Sequence, residues 1–198
     1  MRSISGVIAL ALFVATGARA QDAFPTFPLA LAIAEENGAR VVDDAWIARE
    51  LAQANTIFAA SGVSFEVRTQ RALDARFGAV ETRADRNAFA TERMTSMVNV
   101  FVVRSLRDVD DRTQMLRGVH WRPEGLSGAH FVIVSSIAAP DVLAHELGHF
   151  FGNPHSPTPN AVMSYQRDGS VTPFFEREEI VRIRRHARRF RHSGEIGL

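Results

Sequence analysis

The chain has no cysteine, no lysine and a single tyrosine, Tyr165, among its 198 residues. The lack of cysteine excludes disulfides, thiolate metal sites, cysteine nucleophiles and lipidation at an N-terminal cysteine. The fold must then be held by its core and by whatever non-thiolate ligand it binds. No apolar run reaches the roughly 20 residues that a membrane-crossing helix needs. Internal repeats and low-complexity tracts are also missing, which argues against a solenoid or a disordered tail. Neither sign of charge dominates, with 23 basic residues, all arginine, against 22 acidic ones. Such a balance gives no global pull toward nucleic acid or an anionic membrane.

What is present suits one globular domain. Hydrophobic residues make up 46% and charged residues 23%, ordinary shares for a soluble fold, and the length allows a sizeable core. The first twenty residues stand apart. "MRSISGVIALALFVATGARA" has an early arginine, an apolar run from Val7 to Ala15, and Ala18-Arg19-Ala20 before Gln21. This is the layout of a secretory signal peptide. It predicts an exported protein, secreted or periplasmic, cleaved near Ala20, with residues 21–198 as one domain. Cleavage removes Arg2 and Arg19 and leaves 21 basic against 22 acidic residues, a formal charge of −1.

Along the mature chain, "FPLALAIAEENG" (27–38) reads as a first strand ending in a turn. A helix follows, with Ile47, Leu51, Ala54 and Phe58 on one face, Asp43 or Asp44 as its cap and Gly62 at its end. "VSFEVRT" (63–69) alternates as a half-buried strand does, and 70–96 has no readable pattern. "MVNVFVVRSL" (97–106) and "AHFVIVSSI" (129–137) read as further strands. A helix is expected from about Pro140 to Phe151. A last one opens at Thr172-Pro173 with the stripe Ile180, Ile183, Ala187 and Phe190, early acids and late arginines. This order predicts an α+β domain whose sheet is backed by one long helix.

"HELGHFFGNPH" (145–155) carries the chemistry. On a helix, residues four apart share a face, so His145 and His149 present two imidazoles to one point. Glu146 lies about 100° further round. It is poorly placed as a third ligand but within reach of a water at the same point. Gly152 allows a left-handed exit from the helix, Pro154 stops it resuming, and His155 can return as a third nitrogen. Three histidines plus water form the open tetrahedral site of catalytic zinc. A zinc ion there lowers the pKa of water from about 15.7 toward roughly 7. Glu146 is then the candidate general base.

His145-Glu146-x-x-His149-x-x-Gly152-x-x-His155 resembles the signature of the metzincin zinc endopeptidases. The resemblance implies a zincin-like α+β fold: a twisted mixed sheet with a backing helix, an active-site helix and a C-terminal helix. It also implies one catalytic zinc ion and a methionine beneath the metal, for which Met163 in "NAVMSY" (160–165) is the match. Tyr165, two residues later, resembles the tyrosine of astacin-like, serralysin-like and pappalysin-like members, which can touch the metal and support the oxyanion. Ser156 and the short spacing to Met163 resemble matrixins instead, so the subfamily stays open. The family's substrates are proteins or peptides, bound extended along an edge strand, here expected near 129–136. The segment 165–175 is expected to shape specificity. Only six residues, 21–26, separate the cleavage site from the first strand, so activity without further trimming is expected. A zinc-stabilised binding or effector protein, or a hydrolase of non-peptide amides, are the alternatives.

Weaker signals are read as structural. "RIRRHARRFRH" (182–192) is the solvated, dipole-matched end of the last helix. "DVDD" (108–111) lacks the spacing of a calcium loop. His120, His130, His186 and His192 fall outside ligand spacing.

Overall fold

The computed structural model describes residues 24, 26–126 and 128–197. The expected signal peptide, residues 1–20, lies outside them. Among the described residues no helix is long and apolar enough to cross a membrane.

Strand β1 (Phe27–Glu36) is buried on both faces through Ala34 and turns at Asn37-Gly38 into the short β2 (Ala39–Arg40). Helix α1 (Asp44–Phe58) starts as expected, with the Asp43 side chain accepting from Trp46 N. It runs into a 3₁₀ turn, Ala59–Ser61, that ends at Gly62. Strand β3 (Phe65–Leu73) returns parallel to β1. The unreadable 70–96 stretch holds the end of β3, the two-residue β4 (Ala79–Val80), the short α2 (Arg83–Ala88) and two 3₁₀ turns. Elements of two to six residues are too short to impose a period.

Strands β5 (Val98–Val103), β6 (Ser105–Leu106), β7 (Gly118–Trp121) and β8 (Phe131–Ser135) follow, then α3 (Val142–Phe150) and α4 (Arg177–Ser193). Helix α3 is shorter than the expected 140–151. Helix α4 begins at Arg177 rather than at Pro173, because Glu176 and Glu179 form its capping box.

The main sheet runs β2-β1-β5-β8-β7, with β3 also paired to β1. β1, β3, β5 and β8 are mutually parallel; β7 is antiparallel to β8. The strand expected at the edge, 129–136, is therefore interior, since β8 lies between β5 and β7. Its sequence agrees with this position: Phe131–Ser135 is buried at every residue, as a doubly covered strand must be. The edge is β7, which is half-buried throughout.

Two cores flank the sheet. On one face α1, α3 and α4 cover Phe27, Leu31, Val100 and Val132, with Phe58, Phe151 and Phe190 between the layers. On the other, Phe77, Phe89, Phe101 and Phe131 pack beneath the small β4–β6 ribbon. Burial of this kind stabilises by roughly 25 cal/mol per Å² of apolar surface. It makes the sheet a rigid floor for α3.

Candidate active site

Helix α3 supplies the first two histidines, one turn apart. At its C-terminus the chain leaves through Gly152 at φ +85°. A methyl group there would also meet His186 Nε2 at 2.7 Å. The turn is closed by Gly152 N donating to His149 O and Asn153 N donating to Gly148 O. His155 is thereby carried back toward the helix.

The three imidazoles converge. His149 Nε2 lies 3.2 Å from His145 Nε2 and 3.1 Å from His155 Nε2. Among the described residues these three form the one group of histidines and acids placed to hold a metal ion. Two of the rings have their tautomer set from behind. His145 Nδ1 donates to Val162 O and His149 Nδ1 to Asn153 O, both at 2.7 Å. Each Nε2 of that pair is then left with a bare lone pair aimed at the common point. Lone pairs facing each other repel unless a cation lies between them. Zinc–nitrogen bonds of about 2.0–2.1 Å in a tetrahedron separate the nitrogens by roughly 3.3 Å. The observed spacings fit that requirement, so the residues suit one such ion.

Burial adds to the fit. It lowers the pKa of all three histidines, that of His145 to about 4 against the Val162 carbonyl that raises it. The rings are thus neutral at neutral pH, the form that binds metal.

Glu146 is on the same helix, 5% exposed, with Gly118 of β7 lying directly against its side chain. Burial pushes its carboxyl up to about 8, countered by the His120 backbone N–H and by Arg167 and Arg86. A cation beside it acts in the same direction as those arginines.

Met163 is fully buried beneath the site, and its Sδ fills the space that a Cβ on Gly148 would need on the inner face of α3. Met163 O accepts from Ser156 N at 3.0 Å, which ties the methionine turn to the residue after His155. Tyr165 is exposed, but its hydroxyl stands 2.7 Å from His155 Nε2, at the convergence point. The three imidazoles and the Tyr165 hydroxyl thus share one point, while Met163 packs against the inner face of α3 and Glu146, on the same helix, lies against β7.

Arg167 and Asp141 were not singled out. Asp141 is the N-cap residue of α3 but makes no capping bond. Its carboxylate pairs with Arg167 instead, and Arg167 also donates to Val162 O. Leu143 N, in the first turn of α3, is left to the buried carboxyl of Glu50 at 3.4 Å. No local signal marks these contacts, which join residues 26 and 93 positions apart. The acidic 108–111 run serves as a turn. Asp108 accepts from Asp110 N, Asp110 pairs with Arg83, and Asp111 accepts from Thr113.

The twisted mixed sheet with its helices is a metzincin-like fold. No family profile matches the chain and no curated protein matches its sequence, but solved structures do. Mirolysin in complex with compound 9 superposes with a TM-score of 0.61 at 11% identity, covering 87% of this chain and 98% of that one. Metalloproteinase-II of Bacteroides fragilis gives 0.59 at 16% identity, over 83% of this chain and 54% of that one. Archaemetzincin of Methanopyrus kandleri gives 0.55 at 18% identity, over 82% and 96%. Mirolysin of Tannerella forsythia has also been solved with a cleaved peptide, and there the TM-score is 0.56 at 13% identity, over 87% and 98%. Likeness at these identities establishes the fold.

Proposed function

We propose that the chain is an exported zinc-dependent endopeptidase. The observation that carries this reading is the set of three imidazoles converging at 3.1–3.2 Å with Glu146 beside them on one helix. A structural zinc site is usually closed by four protein ligands. The metal-holding group here has three, which leaves a position for solvent or substrate.

His145, His149 and His155 would hold the ion. A zinc ion bound there supplies Lewis acidity, activating water and polarising the scissile carbonyl. Glu146 takes the proton of the attacking water and passes it to the leaving amine. Tyr165, with its hydroxyl at the convergence point, donates toward the developing oxyanion. Met163 closes the floor of the site and keeps water out from below.

An extended peptide can add to the outer edge of β7 through main-chain hydrogen bonds. That strand is antiparallel to β8, and Gly118 on it touches Glu146. A peptide paired there passes in front of the base. The complex of mirolysin with a cleaved peptide supports peptide as the substrate class. Export rests on the twenty-residue leader described above.

The test is Glu146→Ala. Zinc should stay bound at one ion per chain while hydrolysis of unfolded protein substrates falls by about 10³-fold or more. Turnover close to that of the parent would remove Glu146 from the chemistry. Zinc binding without chelator-sensitive hydrolysis in the parent would favour a zinc-stabilised binding protein.

A further inference from the structure

Arg167 turns inward from the 165–175 segment and spends its guanidinium on two elements of the site. One Nη donates to Asp141 at the start of α3, and the other donates to the carbonyl of Val162. The second nitrogen lies 3.2 Å from His145 Nδ1, because His145 Nδ1 donates to the same carbonyl at 2.7 Å. A carbonyl oxygen has two lone pairs, and here both are taken. The residue that bears it is also held through its own amide, where Val162 N donates to Phe174 O at 2.8 Å. Arg167 Nε is buried without an acceptor. Such a placement costs free energy and gains nothing for an ion pair meant only to stabilise the surface.

We propose that Arg167 is a positioning residue for His145. Its fork joins the N-cap of α3 to the methionine turn and fixes the direction of the Val162 carbonyl. That carbonyl in turn keeps His145 in the Nδ1–H form with Nε2 bare. The inference rests on the reading of the three histidines as a metal site and assigns a role to a residue outside the ligand set. Partners behind a ligand imidazole usually change metal affinity 10- to 100-fold when removed.

Two measurements on Arg167→Met and Arg167→Lys decide the matter. The first is nitrogen NMR of the histidine rings in the metal-free protein, which reads the tautomer with no metal and no turnover. The second is zinc affinity from competition with a chelator. The parent should show His145 as the Nδ1–H tautomer. Arg167→Met should show mixed tautomers and a zinc affinity lower by about 10- to 100-fold. Arg167→Lys should keep the pair with Asp141 and the thermal stability but lose the tautomer lock, since one ammonium cannot replace a two-pronged donor. If either variant melts earlier yet keeps the parent's ring spectra and zinc affinity, Arg167 is only a structural ion pair and the inference is overturned. A parent that fails to bind zinc would count against the metal site, and the ring spectra would still decide on Arg167.

Discussion

Gly118 and Glu146 touch, backbone against side chain. A methyl group built on Gly118 would lie 2.8 Å from Glu146 Cγ and 2.9 Å from its Oε1. It would also lie 2.8 Å from Val142 Cγ1, so the edge strand and the active-site helix approach as closely as glycine permits.

Gly118→Ala therefore pushes Glu146 out of line while leaving the histidines alone. The expected result is a folded protein with the zinc content of the parent and a kcat lower by about 10²-fold, the scale of a displacement near 1 Å at a reacting group. Steady-state kinetics with metal analysis on the same sample checks it. A kcat within twofold of the parent would show that Glu146 need not hold its observed place.

Tyr165→Phe removes the hydroxyl that faces His155 Nε2 but leaves the ring. If the phenol supports the oxyanion, kcat should fall by about 10²–10³-fold, the scale of losing one oxyanion donor, with KM little changed. Equal falls in zinc affinity and kcat would instead make it a metal-holding group.

Glu50 is buried against Trp46, Leu143 and Val100, and burial raises its carboxyl to about 8. The unfolded chain releases this proton near 4.5, the native state near 8. Stability is thus full below about pH 4.5 and declines as pH rises to 8, where the penalty levels off. Glu50→Gln removes the penalty. It should gain on the order of 5 kcal/mol at pH 9, about 1.4 kcal/mol per pH unit across that window, and nothing at pH 4. Urea unfolding at the two pH values is the measurement.

His120 Nε2 and His130 Nδ1 lie 2.9 Å apart, with His130 stacked on Phe150 at 3.9 Å. Burial lowers His120 to about 2 and His130 to about 3, so both are neutral in the native state. The unfolded chain takes up protons near 6.5. The stability these rings contribute is present above that value and is lost as pH falls toward 3. Between pH 7 and pH 5 the metal-free protein should lose about 1–3 kcal/mol. His130→Phe, which keeps the stack on Phe150, should show a smaller loss over the same interval.

The site was legible in the sequence because its geometry is local. A helical period of 3.6 residues brings His145 and His149 together, and the Gly152-x-Pro154 exit returns His155, all within eleven residues. Helix α1 was legible for the same reason, with Asp43 and Gly62 marking its ends. The edge strand was not. Whether "GVHW" or "FVIVS" borders the sheet depends on strand order, which no local pattern states, although the unbroken apolar run of β8 already favoured an interior place. Arg167 was hidden in a polar segment that reads as loop. The His120–His130 pair joins β7 to the residue just before β8 and has no helical spacing to announce it.

With Tyr165 the sole phenol in the chain, nature has placed a built-in optical label beside the three converging histidines. Phenolate absorbance, nitration or iodination of the intact protein would all report from that one ring. Its ionisation, and any change on adding metal or peptide, can be followed without introducing a probe or subtracting a second tyrosine.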